Sequence, residues 1–256
     1  GVTALEVHEH GEGGVPLVLL HGFAASHRYW EPVLDRLLGN PVVGGRHVLA
    51  YDLPGHGASA PSPTGRTAQS ANLLLADLAR RNIGQVHLAG HSMGGAIACH
   101  MALKAPSRVA SLTLLAPGGF GQEINAKLIR RFAAASERGL LAALYEQFYG
   151  WRRAPSDIAL GTVLADHARP GACAEYARIA ETFLEGDRQG VLPLDAIAAL
   201  GMPIKVIWGT QDRITPTRQA HKLPGEIAVH VFEGVGHSIA DEIPDVVVRL
   251  IGENVR

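Results

Sequence analysis

The sequence predicts an α/β protein in which a mostly parallel central sheet carries helices on both faces and one helical insertion interrupts the alternation. Short apolar runs at 15–20 (VPLVLL), 46–51 (RHVLAY), 85–89 (QVHLA), 109–115 (VASLTLL), 204–208 (IKVIW) and 228–232 (AVHVF) alternate with longer helix-compatible stretches. The run at 15–20 is apolar throughout, the pattern of a strand buried on both faces. Strands that alternate with helices build a parallel sheet covered on both sides. From 118 to 200 no convincing strand occurs, and so long an excursion must carry structure of its own.

In chain order, residues 3–8 are expected to add an N-terminal edge strand. Helical patterns follow at 70–81 and 93–104, and helix-like stretches at 126–135, 140–149 and 173–184 fill the interruption. The expected division is a core of 1–117 and 201–256 with a helical cap of 118–200 inserted before the last two strands.

Composition narrows the class. Of 256 residues, 47% are hydrophobic, enough for a large core, and 18% are charged, with a formal net charge of −1. That balance offers no electrostatic footprint for nucleic acid or an anionic membrane, and the paired arginines at 80–81, 130–131 and 152–153 are scattered. Cys99 and Cys173 sit among small apolar residues and read as buried free thiols, which suits a reducing cytoplasm. No stretch approaches the ~18 apolar residues of a membrane span. No basic leader followed by an apolar run opens the sequence, so a cytoplasmic location is expected.

The chemistry centres on Gly90-His91-Ser92-Met93-Gly94, a G-x-S-x-G sequence between a strand-like and a helix-like run. A strand that turns abruptly into a helix projects the serine above the sheet, and flanking glycines let the backbone crowd through. A serine hydroxyl needs a base. Of the 13 histidines, His8, His10, His27 and His221 read as exposed, and His87, His100 and His230 as structural. His237 instead follows the last strand in a small-residue loop, at the carboxyl edge of the sheet where ligands of open α/β sheets gather. Asp212, after the run at 204–208, is the expected carboxylate partner, because no acid stands between 115 and Glu123. The backbone N–H groups of Met93 and Phe23 are the expected oxyanion donors. The glycine-rich turn at 52–59 lacks phosphate-loop spacing, and no zinc-ligand spacing occurs, so no nucleotide, metal or other cofactor is expected.

Together the segments HGF, DLPGHGAS, GHSMGG, WGTQDRITP and GVGHSIADEIP resemble the α/β-hydrolase superfamily over about 15–251. The stretch LLAPGGFG with Glu123-Ile124-Asn125 is most similar to the hydrolase-like portion of acetoin dehydrogenase acyltransferase (E2) subunits. The resemblance implies the α/β-hydrolase fold and a Ser92–His237–Asp212 triad. Members of that subgroup carry a lipoyl domain ahead of the hydrolase portion, and none stands in these residues. The expected activity is therefore a cofactor-independent serine hydrolase acting on a small ester, thioester or lactone. The alternatives are an acyltransferase, a carbon–carbon bond hydrolase and a non-catalytic binding module on the same fold. The expected partner is a small-molecule substrate, with no nucleic acid and no membrane.

Overall fold

The computed structural model describes residues 4–256. Strands β1 (Val7–His10) and β2 (Gly13–Leu20) open the fold, followed by α1 (Glu31–Gly39), β3 (Arg46–Tyr51), α2 (Thr67–Arg80) and β4 (Val86–His91). Helix α3 (Met93–Lys104) leads to β5 (Val109–Leu115), after which α4 (Ala126–Ala134), α5 (Arg138–Glu146), α6 (Asp157–Ala168) and α7 (Ala172–Phe183) follow without a sheet strand between them. A small hairpin of β6 (Leu184–Glu185) and β7 (Arg188–Gln189) and helix α8 (Leu194–Ala198) return the chain to β8 (Ile204–Gly209). Strand β9 (Ile227–Phe232), α9 (Ile239–Glu242) and α10 (Pro244–Asn254) complete it.

The main sheet has seven strands in the order β1-β3-β2-β4-β5-β8-β9. β1 runs antiparallel to β3, and every other neighbouring pair is parallel. The edge strand anticipated at 3–8 starts at Val7; Thr3 lies outside the described residues. Central position explains the composition of β4, which is buried at every residue. Edge position explains β9, where Val229 and Val231 are exposed. Helix α1 packs with α10 and α2 with α3, so both faces are covered. Helix α3 is buried nearly all round, and it also touches β2, β4 and β5. Its small residues Gly94, Gly95, Ala96 and Ala98 permit that approach. Asn254, near the end of α10, donates from Nδ2 to Leu112 O at 2.8 Å and to Thr113 Oγ1 at 3.0 Å, tying the last helix to β5.

Between 118 and 200 the structure holds four helices of nine or more residues, α4 to α7, packed on one another. Two features here differ from the sequence reading. The hairpin β6–β7 is a strand pair where none was expected. Its strands are two residues each, too short to show a period, and Gly186 (φ 64°) makes the turn. Helix α6 was not singled out because its buried face is partly polar (Thr162, Asp166, His167). Its start is nonetheless written in sequence, since Ser156 caps it by accepting from Ala159 N at 3.1 Å.

Leu19 lies near the carboxyl end of β2 with no exposure, paired with Ala50 and Ala89 on the flanking strands. Leu19→Ala is expected to lower stability by about 2–5 kcal/mol, read as a shift of the urea midpoint with an unchanged slope.

Candidate active site

The site is built from the sharpest turn in the chain. Ser92 sits between β4 and α3 at φ 51° and ψ −115°, a conformation that L residues rarely adopt. Hydrogen bonds hold it from both sides. Ser92 N donates to Leu115 O at 2.9 Å, while Ser92 O accepts from Gly95 N and Gly118 N, each at 2.9 Å. The flanking glycines are steric necessities. A Cβ on Gly90 would lie 2.5 Å from Gly94 O, and one on Gly94 would strike the carbonyls of Leu20 and His21. The turn thus presses α3 against the end of β2, and brings the loop after β2 beside the serine.

The other two expected residues arrive from the same edge of the sheet. Asp212 follows β8, and His237 follows β9. His237 Nδ1 donates to Asp212 Oδ2 at 2.7 Å, with both side chains essentially buried. Asp212 Oδ1 also accepts from Ile214 N at 2.8 Å and Thr215 N at 3.0 Å. These backbone donors fix the carboxylate, which in turn fixes the ring and its tautomer. Ser92 and His237 line one cavity, which holds about 30 Å³ and is walled by Tyr29, Phe132, Tyr145 and Phe148. Ser92 also opens on a larger cavity of about 240 Å³, bounded by Phe23, Met93, Ile129, Phe183 and Leu192. Phe23 and Met93 therefore stand on the same cavity wall as Ser92.

Four supporting features were not legible from sequence. First, two buried histidines brace the loop at 21–24. His21 Nδ1 donates to Gly22 O at 2.7 Å and its Nε2 accepts from Leu53 N at 2.9 Å. His56 Nδ1 donates to Pro54 O at 3.0 Å and its Nε2 accepts from Ala24 N at 3.0 Å. Burial pushes His21 down to about 4 and His56 down to about 3, so both are neutral and able to accept. Second, His91 stacks on Tyr29 with ring centres 4.3 Å apart, and its Nε2 donates to His237 O at 2.8 Å. Third, the carbonyl of Phe148, just past α5, accepts from His237 N at 2.8 Å and Ser238 N at 2.9 Å. Fourth, Glu242 accepts from Gly150 N at 3.0 Å and Gly236 N at 2.9 Å, while Tyr149 Oη donates to Asp241 Oδ2 at 2.8 Å. The nearby acids Asp241 and Glu242 thus leave the ring of His237 to Asp212 and fasten its loop to the insertion. The His56 motif offered one signal, a histidine inside a Gly/Pro turn, but nothing in sequence connects His56 to Ala24.

The expectation that His8, His10 and His27 are exposed is corrected, since all three are half-buried. His27 donates from Nδ1 to Asp52 Oδ1 at 2.8 Å and stacks on His8. Cys99 and Cys173 are free thiols, with Cys99 buried and Cys173 half-buried. Among the described residues no helix is long and apolar enough to cross a membrane.

A parallel sheet with a serine held in a strained strand-to-helix turn, facing loops from the last two strands, defines the α/β-hydrolase class. The chain belongs to that family: the alpha/beta hydrolase fold matches residues 15–244. Among curated relatives, it is 37% identical over 235 residues to the dihydrolipoyllysine-residue acetyltransferase component of the acetoin cleaving system of Pseudomonas putida. That match covers 91% of this chain and 61% of the relative, so the chain spans about three-fifths of that protein's length. Among solved structures, a meta-cleavage product hydrolase from Pseudomonas fluorescens IP01 superposes with a TM-score of 0.83 at 20% identity, covering 98% of this chain and 93% of that one. A thermophilic esterase from Thermogutta terrifontis superposes at 0.75 with 25% identity, covering 98% and 92%.

The buried neutral histidines fix a pH dependence. An unfolded histidine takes up a proton near pH 6.5, whereas burial lowers His21 and His56, and also His87 and His167, to about 4 or below. Between those values the unfolded chain binds more protons, so stability falls as pH drops below about 6.5. The urea midpoint is expected to decline steadily between about pH 7 and 5; a flat midpoint across that window would contradict the neutral assignment.

Proposed function

We propose that the protein is a serine hydrolase that cleaves a small ester, thioester or lactone through Ser92, His237 and Asp212. The observation that carries this reading is the buried 2.7 Å bond from His237 Nδ1 to Asp212 Oδ2, on a histidine that shares a cavity wall with the strained Ser92. His237 Nε2 takes the Ser92 proton as Oγ attacks the carbonyl carbon. The resulting oxyanion is met by the N–H groups of Phe23 and Met93, the latter at the N-terminus of α3. When the tetrahedral adduct collapses, the bond to the leaving oxygen or sulfur breaks and His237 returns the proton to that group. Water then gives a proton to His237 and attacks the acyl-enzyme, and Ser92 is regenerated.

Residues 118–200 act in this reading as a cap. Ile129, Phe132, Phe148 and Val163 from it line the cavities at Ser92, where they exclude water and select for apolar groups. A cavity of about 240 Å³ suits a small substrate. No cofactor enters any step, and the cytoplasm remains the proposed location.

A second reading, acyl transfer to a thiol, is supported by the 37% identity to the acetyltransferase component. It uses the same acyl-enzyme and replaces water with the acceptor.

Incubation with a fluorophosphonate probe and a series of p-nitrophenyl esters of rising acyl length tests both. Wild type is expected to be labelled and to turn over the short esters, and Ser92→Ala to do neither. Asp212→Asn is expected to keep its fold and lose activity on the order of 10⁴-fold. Labelling without ester turnover would favour acyl transfer. An unlabelled wild type, or an active Ser92→Ala, would overturn the serine mechanism.

A further inference from the structure

Away from the cavities at Ser92, three chain segments bring a group of ligand-type side chains together on the β1 side of the sheet. His8 comes from β1, His27 from the turn ahead of α1, and Asp52 from the residue after β3. One donor atom from each lies within 4.8 Å of the others. The imidazoles of His8 and His27 are stacked face to face, with centres 3.5 Å apart and planes 15° apart, so one ring must tilt out of the stack for nitrogens of both to meet a shared ion. Glu6 adds a carboxylate oxygen 3.7 Å from His8 Nε2. None of these side chains lines the cavities at Ser92.

We propose that His8, His27 and Asp52 form a binding site for a divalent late transition metal such as Zn²⁺, Ni²⁺ or Cu²⁺. Two imidazoles and a carboxylate are the donor set those ions take, whereas Mg²⁺ and Ca²⁺ prefer oxygen throughout. The His27 Nδ1 to Asp52 Oδ1 separation of 2.8 Å matches adjacent right-angle positions on Ni²⁺ or Cu²⁺, and tetrahedral Zn²⁺ requires it to open to about 3.3 Å. The metal takes the place of the proton now shared between these atoms. His27 remains neutral by carrying its proton on Nε2. Asp52 is rigidly held for the task, because its Oδ2 accepts from Ala58 N at 2.8 Å and its Oδ1 also accepts from His27 N at 2.8 Å. His8 is the adaptable member, half-buried on an edge strand. No local sequence spacing announces the set, since its members are 8, 27 and 52 in the chain.

A metal here would cross-link β1, the turn before α1 and the loop after β3. That loop continues into His56, which holds Ala24 N. The site is therefore a structural staple for the loop beside Ser92, and takes no part in the chemistry.

The test is calorimetric titration of the whole chain with Zn²⁺ and Ni²⁺, and Cu²⁺ paramagnetic resonance to count coordinating nitrogens. Wild type is expected to take up one equivalent with a rise in melting temperature, and its Cu²⁺ spectrum to show two imidazole nitrogens. His8→Ala and His27→Ala should each weaken binding by about tenfold or more and leave one nitrogen. His10→Ala, on the same strand, should bind as wild type does. If wild type takes up no metal, or if His8→Ala keeps wild-type affinity and both nitrogens, the site does not exist. Circular dichroism of each variant separates loss of ligands from loss of fold.

Discussion

Backbone crowding at Gly90 and Gly94 governs how everything else in this molecule can be arranged. With no side chain at either position, β4 can reverse into α3 within van der Waals contact of β2, and Ser92 is left at the crest with a positive φ. Holding a non-glycine residue there costs on the order of 1–3 kcal/mol, so the surroundings must over-determine it. They do so with hydrogen bonds to Leu115, Gly95 and Gly118, which lock the turn to the end of β5 as well as to α3. The parallel sheet supplies the remaining requirement, since its order places β8 and β9 in succession beside β5, with their carboxyl ends on the same rim.

The polar scaffolding around that rim relies on uncharged imidazole. His21, His56 and His91 are all buried, and burial lowers all of them. Each is bonded to a backbone group, two of them as donor at one nitrogen and acceptor at the other. A neutral ring can bridge a carbonyl and an N–H without bringing charge next to the reacting atoms. A lysine or arginine in the same places could only donate, and its charge would shift the balance at His237.

Sequence exposes the parts of this design that are local. The strand runs, the elbow and the carboxyl-edge loops were readable because each is a contiguous pattern with one physical meaning: β3, α3 and β5 begin and end where the sequence places them. Asp212 and His237 could be named because each follows a recognisable strand. What sequence concealed was non-local. The bonds from Leu53 N to His21 and from Ala24 N to His56 each span 32 residues, and neither end has a signature that points to the other. The short hairpin and the partly polar helix α6 escaped for a related reason. Their faces are specified by tertiary partners, and not by a hydrophobic period that propensity could reveal.

The carbonyl of Phe148 has a bearing on how this fold can be remodelled. By accepting from His237 N and Ser238 N, and with Tyr149 and Gly150 bonded to Asp241 and Glu242, the inserted segment is sewn into the loop that carries His237. The insertion is thus not an interchangeable module seated on a finished core. Recombination that swaps it for a foreign one could supply new helices above the cavity, yet would strip the histidine loop of its anchorage. Any transplant has to bring its own acceptors for His237 N and Ser238 N to that place, so the insertion and the histidine loop can change only together.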